Sequence, residues 1–154
     1  MPVLYMERSA LEGLTERDIK KIIEENEGGT KYQRLKRYYE GDHAILHYVK
    51  KDKEAPNNKL VHDMPKYVTN TAVGYFIGKP VAYSSQDDAF LQALQDIFDY
   101  NDEQDENAEL AKGCSISGSC FEMLYMDEDA MIRFVKVDPD HCILIYETGR
   151  KEPM

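Results

Sequence analysis

Apolar residues recur at helical spacing as far as about residue 117, and beyond Gly118 they alternate as in strands. The first stripe is Ile19, Ile22 and Ile23. It is opened by Thr15-Glu16-Arg17-Asp18, where Thr15 can cap free amides and Glu16 and Asp18 favour the positive end of the helix dipole. Gly28-Gly29 closes it, and Thr30 caps a second helix with Leu35, Tyr38 and Tyr39 on one side and Gly41 as its stop. Asp42 to Lys50 reads as another short helix, and Lys51 to Asn58 as a polar loop around Pro56. Pro65, suited to the first helical position, begins the next helix with Asp63 as an upstream cap. Val68, Ala72, Tyr75 and Phe76 follow, and Gly78 with Pro80 ends it. Gly41 and Gly78 both read as helix C-terminal glycines with positive φ. Val81 to Ser84 predicts a short strand. Asp87 or Asp88 then opens the cleanest amphipathic helix, with Phe90, Leu91, Leu94, Ile97 and Phe98 on its apolar face. A further helix from about Asp105 to Ser115 is expected to bury Ala108, Ala111 and Cys114.

Phe121, Met123 and Tyr125 alternate with Glu122, Leu124 and Met126; the acidic turn Asp127-Glu128-Asp129 and the run Met131 to Val137 complete a hairpin. Cys142 to Tyr146 is a third strand, followed by a turn at Thr148-Gly149-Arg150-Lys151. A strand and turn normally lead to a partner strand, and none follows. The expectation is a sheet with an unpaired edge, belonging to a longer protein of which this chain is a fragment. The fold class is therefore α+β. Residues 1–117 form a mainly helical part, and residues 118–154 a hairpin and third strand, incomplete at the C-terminal end.

Composition narrows the function classes. The chain has 154 residues, 42% of them hydrophobic, which fits one globular domain or one lobe of something larger. A free domain of this length buries roughly 68–70% of its unfolded surface, so a real core is possible. A net charge of −10 argues against a free-standing sequence reader of nucleic acid. Cys114, Cys120 and Cys142 form no CxxC pair, so reduced thiols are expected. No stretch approaches the ~20 apolar residues that span a bilayer, and the N-terminus lacks signal-peptide character. Synthesis in the cytosol without a membrane partner is the reading.

Several groups tempt a chemical assignment. His43 and His47 sit four apart, so one helix face could offer both to a metal, but zinc needs two more ligands and nothing nearby supplies them. Asp138, Asp140 and His141 around Pro139 resemble an acid and base; a strand-ending turn explains them better. The acidic run Asp99, Asp102, Glu103, Asp105, Glu106 and Glu109 lacks the central Gly of a calcium loop and reads as a solvated connection between helices. Gly113 to Cys120 lacks the Gly-Lys-Ser/Thr ending of a phosphate loop. Cys114 and Cys120 read as small buried side chains. The eleven tyrosines suit core edges or subunit contacts. No catalytic, cofactor-binding or metal-ligating residue is assigned.

Tyr38-Tyr39-Glu40-Gly41-Asp42-His43 with Ile45, the Asn57-Asn58-Lys59-Leu60-Val61-His62 run, and Pro65-Lys66-Tyr67-Val68 through Gly74-Tyr75-Phe76-Ile77-Gly78-Lys79-Pro80 resemble segments of portal proteins from siphophages of Gram-positive hosts. Gly113 to Glu122 and Val137-Asp138-Pro139 continue that order, so the resemblance covers roughly residues 30–145. It implies a tailed-phage head–tail connector, or a prophage copy of one: a structural subunit of a homo-oligomeric ring, usually of twelve, at one capsid vertex. The implied partners are the other subunits, terminase, head-completion or adaptor proteins, capsid or scaffold proteins, and double-stranded DNA passing through the channel. The implied place is the virion, after assembly in the host cytoplasm. The segments seen here resemble the outward wing; the stem, clip and tunnel loop of the family lie further along, so no DNA-contacting residue is carried over. The alternatives are a small acidic cytosolic adapter binding a basic partner, and an enzyme built on the groups near His141.

Overall fold

The computed structural model describes residues 3–25, 29–52, 54 and 56–148. Its element order is β1 (Val3–Met6), α1 (Arg8–Glu12), α2 (Glu16–Glu25), α3 (Gly29–Tyr39), α4 (Ala44–His47), α5 (Met64–Ile77), α6 (Asp88–Asn101), α7 (Glu103–Ser117), β2 (Phe121–Met126), β3 (Ile132–Val137), a 3-10 turn (Pro139–His141) and β4 (Leu144–Glu147). The α+β class holds, with helices first and an antiparallel hairpin after them.

Local chemistry sets the helix ends. The Thr15 amide donates to Asp18 Oδ2 at 3.0 Å and the Asp18 amide donates to Thr15 Oγ1 at 3.4 Å, so the two residues cap α2 reciprocally. Asp87 Oδ1 accepts the Phe90 amide at 3.0 Å and starts α6. Asp63 precedes α5 but makes no side-chain cap, and Pro65 contributes by its preset φ. Gly41 has φ +85°, as its stop role requires, whereas Gly78 has φ −70°. A side chain at Gly78 would instead collide with the Gly74 carbonyl, so close approach is what selects glycine there. Gly28 and the stretch from Gly149 onward lie outside the described residues, as does the Thr30 side chain.

The helices expected around α2, α3, α4, α5, α6 and α7 all form. Val81–Ser84 does not form a strand; it runs as an irregular connection that carries Tyr83 onto Phe98, ring centroids 4.7 Å apart. Strand β4 overturns a larger expectation. It does not join the hairpin, and it is not unpaired: it lies parallel to β1, in register from Val3 with Leu144 to Met6 with Glu147. The Thr148 amide extends the ladder to the Met6 carbonyl at 2.9 Å. The hairpin pairs Phe121 with Val137 through Met126 with Ile132.

Helix α7 is the middle of the molecule. α5 and α3 pack on it and on each other, while α6 and β3 also pack on it and on each other. Gly113 of α7 is buried because a Cβ there would meet Cys120 Sγ at 2.7 Å, so the helix sits directly against the entry to β2. The interior is thin. Tyr32 is the buried hydrophobic side chain, and no large side chain is fully enclosed among the described residues. The accessible surface is 11908 Å². A compact monomer of this mass exposes roughly 8,000 Å². The chain therefore closes less core than its length allows.

Candidate functional site

Lys136, at the end of β3, lies at the centre of an ion-pair hub. Its Nζ is 3.1 Å from Asp138 Oδ1 and 3.6 Å from Glu109 Oε2. Lys112 reaches Glu109 at 2.6 Å, and Lys36 of α3 reaches Asp138 at 3.4 Å. Burial works against the Lys136 ammonium, but Asp138 and then Glu109 outweigh it and raise its pKa. Burial likewise opposes charge on Asp138, where Lys136 and Lys36 prevail and hold the carboxyl below its ordinary value. Lys112 lowers Glu109, and Glu109 raises Lys112. The hub ties α3, α7, β3 and the 3-10 turn around a pocket of about 230 Å³. Each ammonium has its carboxylate, so the pocket offers no uncompensated positive charge to an anion.

The acidic run Asp99 to Glu109 is more than a solvated connection. Asp102 adopts φ 52° and serves as both the end of α6 and the start of α7, turning the chain sharply. Glu103 accepts the Tyr83 hydroxyl at 2.6 Å, which raises the pKa of that tyrosine, and also receives Asn107. Glu106 Oε2 accepts the Lys136 amide at 3.0 Å. Three of the six acids thus hold neighbouring elements, while Asp99, Asp102 and Asp105 remain exposed.

The other sequence candidates are dispersed. His43 packs its ring on Tyr38, centroids 4.8 Å apart, and its Nε2 is buried without a hydrogen-bond partner, so it acts as a packing residue. His47 pairs with Asp42, which Arg37 also binds at 2.5 Å. Arg37 first, then His47, holds the Asp42 carboxyl at about 2. No group of three or more His, Cys, Asp or Glu among the described residues is placed to hold a metal. Asp138 belongs to the hub, and its carbonyl accepts the His141 amide at 3.0 Å across the 3-10 turn, the strand-ending turn expected there. Cys114 is exposed, contrary to the buried position expected; Cys120 and Cys142 are half-buried, and burial pushes both thiols up. Gly118, at φ +79°, ends α7 where a phosphate loop was rejected.

What remains is unburied apolar surface, which periodicity marked as helix faces but could not mark as exposed. On α5, Tyr75 is 90% and Phe76 80% exposed, with Met64, Tyr67 and Val68 also open. On α6 and the hairpin, Phe90 is 60% and Leu124 67% exposed, with Met126 and Ile132 also open. Apolar surface of this extent marks contact sites. No helix among the described residues is long and apolar enough to cross a membrane.

No curated protein matched the chain in a sequence comparison. Residues 19–154 match the family described as phage portal protein, SPP1 Gp6-like. That match covers α2 through the end of the chain, including the segments around Gly41, Pro65 and Pro139 on which the resemblance rested, and it agrees with a fold whose helices leave broad apolar faces open. The chain belongs to the phage portal protein family.

Proposed function

We propose that this portal-family chain works as the outward, wing-like part of a ring subunit at the capsid vertex, contributing shape and contact surface and performing no catalysis. Residues 1–117 supply the mainly helical scaffold of that part, with β1, and residues 118–154 the hairpin and the strand that pairs with β1. Around the assembled ring, terminase, head-completion proteins and the capsid dock, and double-stranded DNA passes through a channel formed elsewhere in the subunit. Assembly takes place in the host cytoplasm, and the product resides in the virion.

The observation that carries the reading is the open apolar surface: α5 and the α6–hairpin side expose large side chains that a monomer working alone would bury. The groups that resembled an acid and base support it too, because Asp138 is occupied by Lys136 and Lys36 and acts as a fastening. Light scattering and negative-stain microscopy on the purified subunit, extended to full length, test the proposal. Closed rings or concentration-dependent oligomers are expected; a monomer persisting at millimolar concentration overturns it.

A further inference from the structure

We propose that neighbouring copies of this chain meet head to tail, the basic apolar face of α3 and α5 in one copy seating on the acidic apolar face of α6 and the β2–β3 hairpin in the next. The proposal rests on the ring reading above and adds which faces meet.

Charge is sharply divided along the chain. Residues 29–79, which hold α3 to α5, carry ten Lys and Arg against five Asp and Glu. Residues 87–129, which hold α6, α7 and the hairpin up to its turn, carry one Lys against thirteen Asp and Glu. Within one copy the two blocks meet through α7, which packs on α3 and α5, while α6 and β3 pack on α7 and on each other. Part of each charge is used internally, by the hub and by Glu103 and Glu106, but Lys66 and Lys79 remain exposed on one side, and Asp88, Asp99, Glu128 and Asp129 on the other. Each side also exposes large apolar groups: Tyr75 and Phe76 beside Lys79, and Leu124 and Met126 beside Glu128.

These facts select the occupant. An acidic face meeting its own copy across a two-fold axis sets like charge on like charge, and the basic face does the same. Basic on acidic removes both conflicts, and a second copy supplies both faces in equal number. The resulting contact uses two different surfaces, as a ring requires.

The test uses the full chain and sedimentation velocity over a concentration series. Tyr75→Asp with Lys79→Glu spoils the basic face; Asp99→Lys with Glu128→Lys spoils the acidic face. Each variant alone is expected to associate at least about tenfold more weakly than the parent chain. Their equimolar mixture brings one unaltered pair of faces together and sets the two reversed faces opposite in charge, so association returns in the mixture. Raising salt from roughly 0.05 to 0.5 M weakens parent association. Circular dichroism checks folding, and if the double change on α5 unfolds the chain, Lys79→Glu alone carries the same expectation with a smaller loss. Parent oligomers that neither variant weakens, or a mixture that stays monomeric, overturn the face assignment and give these surfaces to another covering partner. A subunit extended to full length that never associates overturns the ring reading itself.

Discussion

Asn101, the last residue of α6, holds the outer edge of β3 by accepting the Phe134 amide on Oδ1 at 3.3 Å. The same carboxamide donates through Nδ2 to the Ile132 carbonyl at 2.9 Å and to the Ile97 carbonyl at 2.8 Å. With Glu106 on the Lys136 amide, side chains from the helices occupy the β3 edge where another strand would otherwise pair. The hairpin is docked and its edge closed by one device.

Replacing Asn101 by Ala leaves the part-buried Ile132 carbonyl and Phe134 amide without these partners. A loss of about 2–3 kcal/mol is expected in urea unfolding. Hydrogen exchange should show Phe134 among the amides that lose protection most; unchanged exchange there would mean that the clasp does not dock the strand.

Gly113→Ala places a methyl group where Cys120 Sγ stands, 2.7 Å away. Overpacking of this kind costs about 1–3 kcal/mol. Pairing it with Cys120→Ala should recover part of that loss, since the clash is with the sulfur. A double-mutant cycle with no coupling would contradict the packing described.

Ala130 sits in the hairpin turn at φ 58°, where an L side chain crowds the backbone. Ala130→Gly removes the crowding and is expected to raise stability by about 1 kcal/mol, read as an increase in Tm.

Carboxylates here are held down by cations: Asp42 to about 2, chiefly by Arg37, and Glu109 below its ordinary value, chiefly by Lys112. A folded pKa below the unfolded one means that the unfolded chain binds protons first as pH falls. The stabilisation is complete above the ordinary value near 3.8 for Asp42 and is lost toward about 2. Thermal melts between pH 6 and 2 should therefore fall with acid over roughly the last two units. Asp42→Asn should flatten part of that fall, and an unaltered profile would remove Asp42 from the account.

Much of the scaffold was legible because its determinants are local. Thr15 with Asp18 and Asp87 with Phe90 act within one turn, so their helix starts are written in neighbouring residues. The hairpin was legible from alternation and its acidic turn. Gly78 was misread because a helix-ending glycine has two possible reasons, positive φ or close approach, and residue type does not distinguish them. Val81–Ser84 looked like a strand, yet the tertiary fold uses it to place Tyr83 on Phe98 and Glu103. Family membership was legible in the Gly41, Pro65 and Pro139 segments; the hub was not, because Lys36, Lys112 and Lys136 carry no local sign of their partners.

The sequence by itself determined where most helices begin and end, the hairpin, and the family, because caps, turn residues and periodicity act over a few positions. Only the tertiary structure decided that β4 finds its partner in β1 from the other end of the chain, and that acids in the Asp99–Glu109 run bind a tyrosine and a strand amide. Only it decided that the α5 stripe stays open. Such outcomes depend on which distant surfaces meet, and strand pairing and burial are properties of two partners that no single segment encodes.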